Sequence, residues 1–230
     1  MTAHALSRIL LFPARIRRSP WARIVFGLLL CASPWAAGEG VHPQFGREHA
    51  SPEARLVARW ALHSGDSGHR FAVIVDKKEA RVFVFDPSGR LRGAAPVLLG
   101  SARGDDSVPG IGEKPLAQIP PHERTTPAGR FIPEPGVNAK GEDIVWVDYE
   151  AAVSMHRVRA NVKSERRLER LASDTPADNR ISFGCINLPR HFYEQVLAPS
   201  VKQGAVVYVL PEVRSLQEVF GAWREPARPM

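Results

Sequence analysis

A cysteine and a histidine 29 positions apart are the residues best suited to do chemistry in this chain. Cys185 stands in the string Ser182-Phe183-Gly184-Cys185-Ile186-Asn187. A thiol attacks as its thiolate, and a helix N-terminus, a base or an imidazolium nearby favours that form. Leu188-Pro189 reads as a helix start, so Cys185 is expected just before a helix whose dipole lowers the thiol pKa. Gly184 would let the backbone come close to a substrate carbonyl. The consecutive N–H groups of Gly184 and Cys185 could then hold the oxyanion of a tetrahedral intermediate. Ser182 and Asn187 are the polar groups placed to brace this turn. The plain alternative for Cys185 is a small buried hydrophobe.

A nucleophilic thiol needs a proton acceptor or an imidazolium partner. Beyond residue 38 the histidines are His42, His49, His63, His69, His122, His156 and His191. His156 ends the apolar run Ala151-Ala-Val-Ser-Met155 and would project from a rigid strand into a cleft. His42 and His49 fall in a polar segment, His63 and His69 flank a turn, and His191 lies on the outer face of the helix after Pro189. No His/Asp/Glu spacing suits a metal, and the chemistry asks for no cofactor.

The elements that must position these groups read as mainly β, a sandwich or barrel-like domain with short peripheral helices. Phe71–Val75, Arg81–Phe85, Pro96–Leu99, Gly129–Ile132, Ile144–Val147, Ala151–Met155 and Gly204–Leu210 are β-branched or aromatic runs between turn residues. Residues 39–50 read as a linker and 51–69 as an N-terminal helix capped by Ser51 with Pro52 in its first turn. Residues 70–211 form the central domain, and 212–230 a C-terminal helix and tail in which Leu216, Val219, Phe220 and Trp223 share a face. Residues 100–128 carry five prolines at 109, 115, 120, 121 and 127. They predict a long surface loop forming one wall of a cleft. Lys163–Leu171 has helical character, with Leu168 and Leu171 on one side.

The chain has 230 residues, 44% of them hydrophobic, with 20 Pro, 18 Gly and 2 Cys. That composition excludes a collagen, a largely disordered chain and a disulfide scaffold. The net charge of +7 is concentrated in residues 1–38, which hold five Arg and no acid. The remaining 26 basic and 24 acidic residues leave +2, no general footprint for nucleic acid. Residues 1–38 read as a signal peptide: a basic stretch, the apolar run Ile24–Ala32, then Ala36-Ala37-Gly38. An uncleaved anchor is the other reading, and the membrane is expected only through this segment. Cleavage would remove Cys31 and leave Cys185 alone in an oxidising compartment, as a reactive thiol or half of an intermolecular bridge.

Ser182, Gly184, Cys185, Ile186 and Asn187, with His156 upstream and Thr126-Pro127-Ala-Gly129-Arg-Phe131 before it, resemble the signature of the L,D-transpeptidase catalytic domain family, also called YkuD-like. The resemblance spans roughly residues 70–211. It implies that Cys185 attacks the third residue of a peptidoglycan tetrapeptide stem. His156 would take the thiol proton or share an ion pair, and the backbone carbonyl of Arg157 would orient the imidazole. A thioester forms and is resolved by a stem amine or an attached wall protein, or by water in a carboxypeptidase. Ser182, Phe183, Gly184 and Asn187 would contact substrate, and the location would be periplasm or cell envelope. The chain departs from the pattern in three places. Phe183 replaces the motif histidine, Arg157 stands where glycine is common, and the 25 residues between His156 and Ser182 are more than most members have. That insertion reads as a flap over the cleft; its six basic residues between Arg157 and Arg170 would attract carboxylate-bearing stems. A non-catalytic wall-binding protein of the same fold is the alternative. A papain-like or amidase-type hydrolase would place Cys before His, opposite to the order here.

Overall fold

Runs of β-branched and aromatic residues with no polar alternation need cover on both faces, and the central sheet of the computed structural model provides it. The structure describes residues 40–221. The expected signal segment, Cys31 and Trp223 lie outside them. Strands β1 (Phe71–Asp76), β2 (Arg81–Phe85), β3 (Leu91–Pro96) and β4 (Leu99–Gly100) come first, then β5 (Gly129–Phe131), β6 (Glu134–Val137), β7 (Asp143–Asp148) and β8 (Val153–Arg157). Strands β9 (Arg180–Ser182), β10 (Ile186–Leu188) and β11 (Ala205–Val209) complete the set. A five-stranded sheet runs β3-β2-β1-β11-β5, a four-stranded sheet β10-β8-β7-β6, and β4 pairs with β9. The mainly β expectation holds.

One face of the five-stranded sheet, with Val73, Val75, Val82, Val84, Val207 and Val209, packs on Val145, Val153, Met155, Ile186 and Leu188 of the second sheet. Its other face, with Ile74, Phe83, Phe85, Val206 and Tyr208, is covered by helix α1 (Pro52–His63) through Val57, Trp60 and Ala61. Full burial of each such side chain stabilises by about 1.5–3 kcal/mol. Ser51 caps α1 by accepting from the Ala54 N–H, with Pro52 in the first turn. The helix stops at His63, inside the 51–69 segment expected to hold it.

Several expectations need correction. Residues 40–50 are no linker: Phe45 is 5% exposed, with its ring edge-on to Phe83 and Phe85 at 5.3 and 4.9 Å. A hydrophobic side chain with two aromatic partners is enough to dock a segment that has no periodicity. The third strand is Leu91–Pro96, not 96–99, because β2 offers a ladder that even Gly93 and the alanines can use at a sheet edge. Strand β6 went unread because Pro135 and Gly136 disfavour strands. It lies at a sheet edge, where proline is tolerated, and a Cβ on Gly136 would fall 2.5 Å from the Trp146 ring.

Helix α2 (Arg167–Ala172) begins later than expected, after a single 3₁₀ turn over Lys163–Glu165 and a left-handed Arg166 at φ 48°. Leu171 is buried but Leu168 is 56% exposed, so the two do not share a packed face. Helices α3 (Arg190–Phe192) and α4 (Ala198–Lys202) are joined by π-type turns over Tyr193–Leu197. The last helix, α5 (Leu216–Phe220), is shorter than expected and is started by a capping box between Ser215 and Glu218.

Candidate active site

Strand register creates the site. In the parallel pair β8/β10, Met155 stands beside Ile186 and His156 beside Asn187. Side chains alternate along a strand, so Met155 and Ile186 enter the core while His156 and Asn187 share the opposite face. Cys185, one residue before β10, falls next to Ser154 on that same face, and their Oγ and Sγ atoms lie 3.6 Å apart. Two residues of rise at about 3.3 Å and a strand spacing of about 4.8 Å put the Cys185 and His156 Cα atoms roughly 8 Å apart. The sequence expectation of a helix directly after Cys185 fails. Strand β10 intervenes and α3 starts only at Arg190, so the thiol does not sit at the N-terminus of α3.

The turn bearing Cys185 is braced from beneath. The Ser182 hydroxyl donates to the Cys185 carbonyl at 2.6 Å and accepts the Gly184 N–H at 3.1 Å. Ser182 is buried and both hydroxyl bonds serve the turn, so it positions Cys185 while also lining the cavity beside it. The Gly184 N–H is likewise engaged and is not an oxyanion donor as expected; the Cys185 amide is not consumed by these bonds. Gly184 adopts φ +129°, and a Cβ there would sit 2.8 Å from the Thr125 carbonyl, so glycine is required. Thr126 completes the brace: its hydroxyl donates to the Gly184 carbonyl at 2.8 Å and accepts the Gly100 N–H at 2.9 Å.

That brace continues into a buried ionic cluster. Lys77 Nζ donates to the Thr126 carbonyl at 2.9 Å, the Gly104 carbonyl at 2.5 Å and Asp105 at 2.8 Å. Asp105 also accepts the N–H groups of Glu212, Val213 and Arg214. Burial pushes its carboxyl up, but those N–H groups and Lys77 outweigh burial and bring it down to about 2.

His156 is held by both ring nitrogens. Nδ1 donates to the Arg157 carbonyl at 2.8 Å; a carbonyl only accepts, so in the neutral ring the proton sits on Nδ1. Nε2 then carries the lone pair, 3.3 Å from Asn187 Nδ2. Burial holds the imidazole below its ordinary pKa; the Arg157 carbonyl opposes this, and the charges of Arg159 and Arg167 add to it. The Arg157 side chain takes no part: its guanidinium pairs with Asp143 and Glu194 and lies over the Tyr193 ring. The thiol donates to the Ala152 carbonyl at 3.6 Å, while the imidazole bonds Arg157 and Asn187.

Cys185 and His156 both line a cavity of about 330 Å³, together with Phe183, Asn187 and Leu116. Leu116 comes from the 100–128 loop, which forms one wall as expected. Arg159, Asn161, Val162 and Arg167 of the insertion form another. Phe183 is half-buried, with the Arg124 guanidinium 4.0 Å above its ring, so this side chain closes the cavity instead of offering a polar contact. On the side of His156 away from the thiol, a second cavity of about 270 Å³ is bounded by Asp143, Arg159 and Arg190. Elsewhere His42 packs beside His63 at 5.7 Å and His191 is exposed, away from the cavity. Among the described residues no cluster of three His, Cys, Asp or Glu could hold a metal ion.

Sequence reasoning missed three contributors. Thr126 had entered only as part of a resembling string, Lys77 was not singled out, and Arg167 was one of six bases in a run. The last two carried no local signal, because their partners are distant in the chain.

No family model matches the chain, and no curated protein matches it. Among solved structures it is similar to an L,D-transpeptidase from Xylanimonas cellulosilytica, at 12% identity over 61% of this chain and 60% of that one, with a TM-score of 0.37. It is also similar to an L,D-transpeptidase from Mycobacterium smegmatis, at 21% identity over 61% and 58%, TM-score 0.34. A third is the catalytic domain of an Enterococcus faecium L,D-transpeptidase, at 18% identity over 62% and 98%, TM-score 0.33. The chain thus spans about three-fifths of the length of the first two.

Proposed function

We propose that the chain is a cysteine-dependent acyltransferase of the L,D-transpeptidase type, acting on peptidoglycan tetrapeptide stems in the periplasm or cell envelope. The observation that carries this reading is the placement of His156: a half-buried imidazole whose Nδ1 is bound to the Arg157 carbonyl, leaving the Nε2 lone pair of the neutral ring on the same face and in the same cavity as the only cysteine beyond residue 38. A neutral base beside a thiol suits proton transfer during attack better than a resting ion pair. Attack through this base requires the Cys185 side chain to leave Ala152 and Ser154 and turn to the imidazole.

In this mechanism Sγ bonds to the carbonyl carbon of the third stem residue as its proton passes to His156 Nε2. The Cys185 amide stabilises the oxyanion. The bond to the terminal D-alanine breaks, and its nitrogen takes the proton from the imidazolium. The thioester is then attacked by an amine of a second stem or of a wall-attached protein, or by water, and Cys185 regains its proton. No metal or organic cofactor enters these steps. Arg159 and Arg167 line the cavity wall, each paired with a glutamate, so a ligand carboxylate would bind there by exchange with Glu142 or Glu165.

The test is mass spectrometry of tetrapeptide muropeptides incubated with the full-length chain and with Cys185→Ala. The native chain is expected to give cross-linked or trimmed products and the variant none; an unchanged pattern in the variant removes Cys185 as nucleophile. One observation favours a second reading, a wall-binding protein without turnover: the thiol bonds Ala152 and Ser154 and not the imidazole. Co-sedimentation with insoluble peptidoglycan, without thiol acylation by a carbapenem, would select it. Export is tested by fractionating cells for mature protein that has lost residues 1–38.

A further inference from the structure

The Asn187 side chain is caught between three groups. Its Oδ1 accepts from Arg167 Nη1 at 2.5 Å, and its Nδ2 lies 3.3 Å from both the Cys185 carbonyl and His156 Nε2. Reversing the amide would set its oxygen against the Cys185 carbonyl and its NH₂ against the guanidinium, and both contacts would repel. With the amide fixed this way, an N–H points at Nε2, which must then present a lone pair. A proton on Nε2 would bring two donors face to face, with the loss of a buried hydrogen bond. We propose that Arg167, reaching in from the 157–181 insertion, is a positioning residue: by orienting the Asn187 amide it keeps His156 Nε2 unprotonated and the imidazole in its proton-accepting form.

Arg167 is itself well placed for this. Its Nε donates to Glu165 at 2.6 Å and its side chain is 13% exposed. Helix α2 is anchored by buried Leu171 and by Arg170, which donates to the Glu165 carbonyl at 2.7 Å and to the Asp178 carbonyl. The other charges facing the imidazole are largely paired off. Arg159, from the chain after β8, pairs with Glu142 of the β6–β7 turn. Asp143 at the start of β7 pairs with Arg157. Arg190 of α3, bounding the cavity on the other side, pairs with Glu194. Glu165 is held by Arg167, and Cys185 is the remaining titratable neighbour. Among the described residues, Arg167 is the group that bonds the Asn187 oxygen.

The inference deepens the role of His156 as base, but its test needs no turnover. The ring nitrogens of His156 in the ¹⁵N-labelled full-length chain are followed by NMR through a pH titration, with His156→Gln to assign the signal. Arg167→Met and Arg167→Gln are both made, so that one folding failure leaves the other. Each is expected to raise the midpoint of His156 by about one pH unit, because one of the two restraints on the amide is gone and it can turn more readily to accept from a protonated Nε2, giving up its bond to the Cys185 carbonyl. Arg159→Gln removes an equal charge without touching Asn187 and is expected to raise it by less. An unchanged midpoint in the Arg167 variants, or an equal rise in Arg159→Gln, overturns the proposal, the second by leaving only through-space charge. If Cys185→Ala retained turnover, the reading of the function would fall while this titration still decided the role of Arg167.

Discussion

The nucleophile and the base are supported by two very different structures. Beneath Cys185 runs a dry brace from Ser182 and Thr126 to the Lys77–Asp105 pair, whose side chains are 0% and 1% exposed. Over His156 lies an arginine-rich segment whose key contact, Arg167 to Asn187, opens onto a water-accessible cavity. In the first, a lost partner leaves a charge or carbonyl with nothing to replace it. In the second, solvent can step in. The brace should therefore govern stability, and the cavity wall should govern the protonation of the base.

The sharpest way to break this contrast is Lys77→Met. It leaves Asp105 ionised and buried without its cation, and loss of one member of a buried pair costs about 3–5 kcal/mol. Denaturant unfolding should show that loss; a change under 1 kcal/mol would mean that water reaches the cluster and that the brace is not dry. Thr126→Val is next, expected at about 2–3 kcal/mol, since it strips partners from the Gly184 carbonyl and the Gly100 N–H at once. Because the freed carbonyl belongs to the residue before Cys185, alkylation of the thiol by iodoacetamide should change in the same variant.

Acid tests the same brace without a mutation. The Asp105 carboxyl falls from 3.8 to about 2 on folding. Its stabilisation is therefore complete above pH ~4 and is lost as pH falls through the folded value. The difference corresponds to about 2 kcal/mol, readable as a fall in unfolding free energy between pH 4 and pH 2. In Asp105→Asn that part of the pH dependence should vanish.

The two supports also differ in how far the sequence disclosed them. Strands β1, β2, β7 and β11 are strongly apolar runs that read correctly because burial on both faces leaves a local mark. The Cys185 turn and the strand carrying His156 were legible for the same reason, with Gly184 flagging a special backbone position. Strands β6, β9 and β10 were not, since runs of only three or four residues, with Pro135 and Gly136 in β6 and Asn187 in β10, become strands only when a neighbouring ladder recruits them. The Lys77–Asp105 pair spans 28 positions and Thr126 to Gly184 spans 58. Such contacts are products of topology, and no periodicity encodes them. The missing helix behind Cys185 has the same origin: Leu188-Pro189 does precede a helix, but pairing with β8 captures Ile186–Leu188 first.

The smallest expected effect is the most informative about the division of labour. Arg167→Met removes a charge-assisted hydrogen bond, which in a dry core would cost several kcal/mol when the remaining partner stays buried. Here Arg167 and Asn187 both line the cavity, and once the guanidinium is gone a water molecule from it can take its place at little cost. The unfolding free energy should change by no more than about 1 kcal/mol, while the pH at which the imidazole titrates shifts. A variant that lost stability as severely as Lys77→Met, with no shift in that titration, would show that the insertion is part of the brace, and the contrast between the two supports would dissolve.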